Sequence, residues 1–466
     1  MMKHITIIGG GIAGLTAAYY LQKQIKEKHL PYQVTLLEAS ERLGGKIKTE
    51  RRDGFTIERG PDSFLIRKQS AERLAREAGL GDQLVTNGTG KSYILVDGKL
   101  HSMPQGSFMG IPTQVKPFLF SDLFSLSGKL RAGFDFVLPK GEPKEDQSLG
   151  KFFRRRFGDE LVENLIEPLL SGIYAGDIDD LSLMATFPNF YQLEQKHRSL
   201  VRGLQQTMPK PKTSPGKKRS MFYSLKDGLQ SLVEAIEEML DDNVVRKNTV
   251  VKQIEKAGEQ YTLTLSDHRT IRSDAVMVAT PFNTMKKMLG NYDFVSSLED
   301  MKATSVANVA LAFDQSAIKE DIDGTGFVVS RNSDYRITAC TWTHKKWPET
   351  AAPEGMALLR CYVGRPGDES VVDLSDEALE KIVLSDLNKI MKIEGTPRFS
   401  VVSRWENAMP QYGIGHKAKV DKLEKDIAEN LPGLFVAGSS YRGIGIPDCI
   451  DQGEAAVEQI LAYLEN

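Results

Sequence analysis

The sequence is poor in cysteine and has no excess of either charge. Its three cysteines, Cys340, Cys361 and Cys449, stand far apart among 466 residues and form no Cys-x-x-Cys pair. This spacing excludes a disulfide framework and is typical of proteins from a reducing compartment. Lys plus Arg (60) nearly equals Asp plus Glu (62), which argues against bulk attraction to nucleic acid. We therefore expect a cytoplasmic protein that binds no nucleic acid.

Long apolar segments are also scarce. Residues 4–22 carry no Asp, Glu, Lys or Arg, but glycines interrupt this stretch and a polar run follows it. A signal peptide or a membrane span would need an unbroken apolar run, so we expect no transmembrane segment. A composition of 41% hydrophobic and 26% charged residues is ordinary for a globular protein. The length predicts about three domains.

The N-terminus has the pattern of a strand, a glycine turn, a helix and a second strand. A short β-branched segment precedes Gly9, a helical run follows from Ile12 to about Lys28, and an apolar strand ends at Glu38. This order predicts a βαβ unit.

The glycines of this unit have the spacing of a dinucleotide site. Gly9 permits a tight turn, Gly11 lets the backbone approach a pyrophosphate, and Gly14 allows the helix to pack closely on the strand. The phosphates would lie at the helix N-terminus. Glu38 follows Gly14 by the spacing expected of an acid that binds an adenosine ribose, which disfavours a ribose phosphate and leaves NAD or FAD.

A second glycine loop follows shortly after Glu38. The segment Glu41–Lys46 reads Glu-Arg-Leu-Gly-Gly-Lys, and it would let another backbone stretch pass close to a cofactor. It resembles the Arg-x-Gly-Gly-[Arg/Lys] element of the FAD-dependent amine-oxidase superfamily. The segments Lys226–Leu232, Asp274–Pro281 and Leu434–Gly438 are similar to further elements of that superfamily.

Five longer segments resemble one family within this superfamily. They are Glu58–Leu65, Phe152–Glu160, Leu165–Asp177, Ser403–Tyr412 and Gly443–Gly453. All are similar to the FAD-dependent protoporphyrinogen/coproporphyrinogen oxidases, with the greatest likeness to the oxygen-dependent coproporphyrinogen III oxidases of Gram-positive bacteria. The likeness extends from about residue 4 to the last residues and is broken at 205–220.

The resemblance implies an α/β plus α+β fold. A Rossmann-like FAD-binding domain of the amine-oxidase/glutathione-reductase type would be assembled from residues 1–65, 221–289 and 400–466. A mixed-sheet substrate domain would comprise 66–96 and 290–399, with a helical insertion at 97–204. Residues 205–220, rich in proline and basic residues, are predicted to be a mobile loop.

The resemblance also implies an activity. A porphyrinogen, coproporphyrinogen III or also protoporphyrinogen IX, would be oxidised in successive two-electron steps, with FAD as non-covalent cofactor and O2 as acceptor. Because the flavin carries this chemistry, no catalytic side chain and no metal site is assigned. Two alternatives stay open: another FAD-dependent oxidase or desaturase acting on amines or carotenoids, and a non-redox binding protein similar to GDP-dissociation inhibitors.

The predicted site residues fall into two groups. The cofactor-binding group that the resemblance implies is Gly9, Gly10, Gly11, Ile12, Ala13, Gly14, Glu38, Ala39, Arg42, Gly45, Lys46, Gly60, Pro61, Asp62, Ser63, Val251, Trp405, Gly438, Ile446, Pro447 and Asp448. The substrate-binding group is Gly172, Ile173, Phe327 and Met409 for the macrocycle, with Arg67 and Lys68 for its propionates. Cys449 is not expected to form a thioether with the flavin.

Two surface features concern partners. Residues 117–138 mix aromatic and basic side chains, which favours peripheral contact with the inner face of the cell membrane. The run Arg154-Arg155-Arg156 is interpreted as a solvated helix face. A haem-pathway enzyme that takes the product directly is a further partner hypothesis, and the oligomeric state is not predicted.

Overall fold

The computed structural model describes residues 2–88, 91–207, 220–296, 298–299 and 301–465. Most of the loop predicted at 205–220 therefore lies outside the described residues. The strands are β1 (Lys3–Ile8), β2 (Tyr32–Leu37), β3 (Thr49–Arg52), β4 (Phe55–Glu58), β5 (Phe64–Leu65), β6 (Leu84–Thr86), β7 (Tyr93–Val96), β8 (Lys99–Ser102), β9 (Ser107–Phe108), β10 (Ile111–Pro112), β11 (Phe222–Leu225), β12 (Val245–Arg246), β13 (Val251–Ala257), β14 (Gln260–Leu265), β15 (Thr270–Ser273), β16 (Ala275–Val278), β17 (Ala303–Asp314), β18 (Gly326–Val329), β19 (Ile337–Trp342), β20 (Met356–Val363), β21 (Phe399–Pro410) and β22 (Leu434–Val436).

Helices connect and cover these strands. They are α1 (Ile12–Lys28), α2 (Gln69–Glu77), α3 (Val115–Leu119), α4 (Leu126–Gly133), α5 (Leu149–Phe157), α6 (Asp159–Leu161), α7 (Glu167–Tyr174), α8 (Leu183–Thr186), α9 (Pro188–His197), α10 (Leu200–Thr207), α11 (Gln230–Met239), α12 (Phe282–Met288), α13 (Asp293–Ser296), α14 (Thr343–Lys346), α15 (Asp376–Met391), α16 (His416–Asn430) and α17 (Ile446–Glu465). No helix within the described ranges is both long and apolar enough to cross a bilayer.

A five-stranded parallel sheet in the order β12-β2-β1-β16-β22 forms the dinucleotide-binding layer. Helices α1, α11 and α17 pack on one face of it, and the antiparallel strands β13, β14 and β15 cover the other. The predicted βαβ unit is confirmed, with the helix at Ile12–Lys28 as expected. The last helix begins at Ile446.

A seven-stranded mixed sheet in the order β21-β17-β20-β19-β18-β7-β8 forms a second layer. Along β17, Ala307, Val309 and Leu311 face a core that α15 covers, whereas Val306 and Asn308 face the other way. The domain boundaries predicted from the sequence remain a proposal. Strands β8 and β21 belong to this sheet by hydrogen bonding and lie beyond the boundaries placed at residues 96 and 399.

Helices α3–α10 enclose a third core, and here one sequence interpretation is wrong. Arg156 is fully buried, as are the carboxylates of Asp135 and Glu194 beside it. Its Nε donates to Asp135 Oδ1 over 2.7 Å, and its Nη1 lies 3.4 Å from Glu194 Oε1. Since helical residues four apart share a face, Arg156 points inward with Phe152, and only Arg154 and Arg155 of the run are partly exposed.

Candidate cofactor and substrate cavity

The glycine turn joins β1 to α1 with a different constraint at each glycine. Gly9 has a φ of +107°, a conformation that side chains rarely adopt. A Cβ on Gly14 would lie 2.0 Å from the Gly9 carbonyl oxygen, so helix and turn touch there. A Cβ on Gly11 would meet no protein atom within 4 Å. Gly11 therefore borders open space, although its own backbone conformation suits any residue.

The second glycine loop lies directly against the first. The Gly44 amide donates to the Gly10 carbonyl oxygen over 2.8 Å, and Gly44 forms a β-bridge with Gly11. The Glu38 carboxylate accepts from the Gly10 amide at 2.7 Å and from the Ser40 amide at 2.8 Å. These contacts bring the two glycine loops and the predicted ribose acid to the carboxyl ends of β1 and β2, where open α/β sheets bind ligands.

Lys46 extends from the second loop beside this turn. Its Nζ donates to Ser439 Oγ over 3.1 Å, and among the described residues it has no carboxylate partner. Burial lowers the pKa of the Lys46 ammonium and raises that of the neighbouring Cys449 thiol to about 12. The Cys449 side chain is therefore a neutral thiol on the wall beside a lysine.

One large cavity, of about 940 Å³, extends from the glycine turns to the seven-stranded sheet. The predicted residues on its wall are Gly9, Gly11, Ile12, Ala13, Glu38, Ala39, Gly45, Lys46, Gly60, Pro61, Asp62, Ser63, Gly172, Ile173, Val251, Trp405, Met409, Gly438 and Ile446. Its far part lies between α7 and the sheet and is largely apolar, with Leu169, Val306, Val328 and Ile444 on the wall. Residues of the dinucleotide-binding layer, of the seven-stranded sheet and of α7 all line the cavity.

Several predicted residues lie behind the wall rather than on it. Gly10 and Gly14 pack inside the turn, where a Cβ would meet Leu43 and the Gly9 carbonyl oxygen respectively. The Arg42 guanidinium donates to the carbonyl oxygens of Leu43, Gly45 and Ile47, so it closes the second glycine loop instead of facing the cavity.

The first turn of α17 is likewise tied to α2. Lys68 forms an ion pair with Asp448, and the Pro447 carbonyl oxygen accepts from Ser70 Oγ over 3.2 Å. Arg67 is exposed and is not on the cavity wall. The pair predicted to bind propionates thus stands outside the cavity, and Lys68 is neutralised by an acid that was predicted to bind the cofactor.

Phe327 occupies the opposite side of its strand from the predicted one. It is 3% exposed and packs against Trp342, with ring centroids 6.1 Å apart, in the core that α15 covers. Side chains alternate between the two faces of a strand, so its neighbour Val328 lines the cavity instead.

Two polar atoms on the cavity wall lack hydrogen-bond partners among the described residues and are available to a polar ligand. Thr280 Oγ1 and Asn308 Oδ1 are buried in wall residues and have no hydrogen-bond partner among the described residues. Unpaired buried polar atoms are costly, so a ligand that pairs with them would stabilise the site. Together with the open space at Gly11 and the cation at Lys46, they fit a large dinucleotide with anionic and polar groups.

A largely buried ion cluster at Asp62 links the loop between β4 and β5 to α14 and to β20 of the seven-stranded sheet. The Lys346 ammonium lies 2.8 Å from Asp62 Oδ2, and Arg360 Nη1 lies 3.3 Å from the same oxygen. Burial alone would raise the pKa of the Asp62 carboxyl, but these two cations more than offset it and hold the pKa well below its usual range. Asp62 is therefore ionised, and its charge is already matched inside the protein.

Replacing Asp62 by asparagine is expected to destabilise the protein in a pH-dependent way. The native pKa is lowered, so the stabilisation is present above the unfolded pKa of about 3.9 and is lost as pH falls towards the native value. We expect the variant to lose about 1–3 kcal/mol at pH 7 and the difference to shrink below about pH 4. Urea unfolding at several pH values measures it.

The matched control is Asp314→Asn. Asp314 pairs with Arg398, but both side chains are more than half exposed. Such a pair contributes under about 1 kcal/mol. An equal loss in both variants, or an Asp62→Asn effect that does not change with pH, would contradict the assignment.

Four polar or charged residues on the cavity wall were not predicted from the sequence. Thr280 and Asn308 are isolated polar residues in or directly after apolar strand segments. This pattern could have indicated from the sequence that they serve a site. Arg331 and Arg365 also line the wall, and both follow strands whose order in the sheet the sequence does not reveal. His344 and His416 are not on the wall, and burial lowers the pKa of both.

Comparison with known proteins agrees with this arrangement. A family model described as flavin containing amine oxidoreductase matches residues 12–461. The chain is 56% identical over 464 residues to the coproporphyrinogen III oxidase of Bacillus subtilis (strain 168), covering 99% of this chain and 98% of that protein. It is 29% identical to protoporphyrinogen oxidase 1, chloroplastic, of Spinacia oleracea, over 99% of this chain and 84% of that one.

Solved structures give the same picture. A candidate protoporphyrinogen oxidase from Exiguobacterium sp. 255-15 superposes with a TM-score of 0.88 at 38% identity, covering 100% of both chains. A putrescine oxidase bound to putrescine superposes with a TM-score of 0.70 at 17% identity, over 99% of both chains, and supports the fold alone.

Proposed function

Because the chain belongs to the flavin-containing amine oxidoreductase family, we propose that it is a haem-biosynthesis flavoenzyme that oxidises coproporphyrinogen III to coproporphyrin III with O2 as acceptor. One observation carries the proposal: a single cavity has glycine turns with phosphate-site geometry at one end and a broad apolar slot at the other. The full-length similarity to the B. subtilis coproporphyrinogen III oxidase supports the choice of substrate.

The chain's own residues supply binding and orientation. The helix N-terminus at Gly11 and the second glycine loop would hold the pyrophosphate of FAD, and Glu38 the ribose. When bound there, FAD would supply the two-electron redox chemistry, with the substrate as hydride donor and O2 as electron acceptor. Val328, Met409 and Ile173 would hold the macrocycle and exclude water from the slot.

The cofactor is expected to be non-covalent. Cys449 is the cysteine on the cavity wall, and its buried Sγ lies 3.8 Å from the Gly443 carbonyl oxygen. Since the raised pKa keeps this thiol protonated, it is a poor nucleophile towards a flavin ring. Acid precipitation should leave all flavin in the supernatant, and flavin retained in the pellet would contradict this proposal.

A side-by-side assay tests the activity. FAD-loaded protein is offered coproporphyrinogen III and protoporphyrinogen IX separately, and porphyrin fluorescence and peroxide are measured together. We expect peroxide to accompany coproporphyrin III formation, with protoporphyrinogen IX oxidised more slowly. Flavin-stripped protein is the control. If FAD-loaded protein leaves both porphyrinogens unoxidised, the proposal is refuted, and oxidation of amines instead would assign the chain to another branch of the family.

An exposed apolar surface supports peripheral contact with the inner face of the cell membrane. Its side chains are between 49% and 88% exposed and lie in or beside α3 and α4: Val115, Leu119, Phe120, Leu126, Leu130, Phe134 and Val137. Exposed apolar patches of this kind mark interaction sites. Sedimentation with anionic vesicles tests the contact, which should weaken in Phe120→Ser; wild-type protein that stays in the supernatant would overturn it.

A further inference from the structure

The proposed substrate carries propionate groups, so its slot needs cationic side chains on the cavity wall. Lys68 and Arg67 do not provide them, because neither is on the cavity wall. Two other arginines are on the wall at the substrate end, Arg331 and Arg365. The positions and partners of these two arginines suit carboxylate binding.

Sheet topology brings these two arginines to the same edge. Strand β19 lies between β18 and β20 and is antiparallel to both, so β18 and β20 run in the same direction. Arg331 follows the last residue of β18 by two positions, and Arg365 follows the last residue of β20 by two. Two strand spacings separate the strands by about 10 Å, a distance that a macrocycle with several side chains can span.

Arg365 is a half-buried cation with little internal compensation. Its Nη2 donates to the Tyr335 carbonyl oxygen over 2.9 Å, and the described part of the chain gives it no carboxylate within ion-pair distance. A guanidinium has five N–H donors, so most of them remain for a ligand. The nearby Arg336 differs, because both of its donating nitrogens bind Asp368, at 2.9 and 3.1 Å.

The turn that carries Arg365 is rigid. Gly364 has a φ of +96°, and a Cβ there would lie 2.7 Å from the Ser305 carbonyl oxygen. Pro366 follows and restricts the backbone of Arg365 to extended conformations. A restricted backbone lowers the conformational entropy that this segment loses when Arg365 binds an anion.

Arg331 is held from the other wall of the slot. Its Nη1 donates to Asp177 Oδ2 over 2.8 Å, and Asp177 follows the end of α7. The ion pair therefore joins the sheet edge to the helix that forms the opposite wall. It orients the guanidinium while leaving further N–H groups on the cavity side.

We propose that Arg365, assisted by Arg331, forms a carboxylate-binding site that receives propionates of the porphyrinogen at the sheet edge. This inference rests on the proposed function. A planar guanidinium binds a carboxylate through two parallel hydrogen bonds, which fixes orientation as well as adding affinity. The site therefore selects for the carboxylates and orients the macrocycle in the slot.

Equilibrium binding to the FAD-loaded protein tests the site, with coproporphyrin III and its tetramethyl ester as probes. The ester keeps the macrocycle and removes every carboxylate. We expect Arg365→Gln to weaken coproporphyrin III about 10- to 100-fold and to leave the ester unchanged. Arg365→Lys should fall between the two, because an ammonium keeps the charge and loses the paired geometry. Arg336→Gln is the matched control and should bind both probes as wild type does.

Steady-state kinetics give an independent readout. Loss of a contact made equally in ground and transition states raises KM for coproporphyrinogen III and leaves kcat nearly unchanged. Arg365→Gln that binds both probes like wild type, or that weakens both equally, overturns the carboxylate site while wild-type activity leaves the proposed function standing. Wild-type protein that binds neither probe and oxidises neither porphyrinogen overturns both.

Discussion

Gly11→Val is expected to yield a folded protein that does not retain flavin. A Cβ at Gly11 meets no protein atom within 4 Å, and the backbone there is extended, so the substitution strains nothing within the chain. The new side chain would fill the space beside the helix N-terminus, where the pyrophosphate of the proposed cofactor belongs. We expect flavin content to fall about tenfold or more, as measured by absorbance per protein.

Two further glycines make this result specific. Gly14→Val would place a Cβ 2.0 Å from the Gly9 carbonyl oxygen, so it should lose the fold together with the flavin. Gly133→Val lies at the end of α4, where a Cβ also meets nothing within 4 Å, and it should keep both. Wild-type flavin content in Gly11→Val would contradict the assignment of the pyrophosphate to this turn.

Arg156→Met is expected to destabilise the helical core by about 3–5 kcal/mol, because it leaves the buried Asp135 carboxylate without its cation and removes one of the two arginines at Glu194. Methionine preserves much of the side-chain volume, so the loss reports charge and hydrogen bonding rather than a cavity. The arginine also donates to the carbonyl oxygens of Asp135 and Arg198, each over 2.7 Å, and these would be orphaned. Urea denaturation compared with wild type measures the change.

Arg76→Met provides the contrast on an exposed helix. Arg76 pairs with Glu72 one turn away, and its side chain is 56% exposed. The expected change is about 0.5 kcal/mol or less. Arg156→Lys tests geometry, since one ammonium cannot replace the forked contacts to Asp135 and Glu194. Equal effects of Arg76→Met and Arg156→Met would show that the buried pairing contributes nothing.

The sequence predicted the cofactor end of the cavity because its determinants are local. Gly9, Gly11 and Gly14 lie within one turn of a helix start, and Glu38 follows at the end of the adjacent strand. A βαβ unit has one favoured handedness and register, so local spacing suffices to place these residues. The same holds for Lys46, which the second glycine loop carries to the turn.

The residues at the substrate end of the cavity could not be predicted from sequence spacing alone, because their positions depend on strand orientation and sheet order. Phe327 and Val328 are adjacent apolar residues on a strand buried on both faces, so alternation gives no choice between them. Arg331 and Arg365 lie at the same sheet edge because β19 pairs between β18 and β20 and is antiparallel to both, an order that the sequence does not reveal. Arg156 is different: its spacing of four from Phe152 indicated the buried face, but its charge obscured that signal.

The sheet order also sets when the cavity wall can be completed during synthesis. β1 and its glycine turn are made first, yet in the sheet β1 pairs with β16, which in turn pairs with β22. The wall segment from Gly438 to Cys449 is translated after every other part of the wall. N-terminal regions generally fold as they emerge from the ribosome, but these distant parallel pairings cannot. The cavity wall can therefore be complete only after β22 and the first turn of α17 have been made.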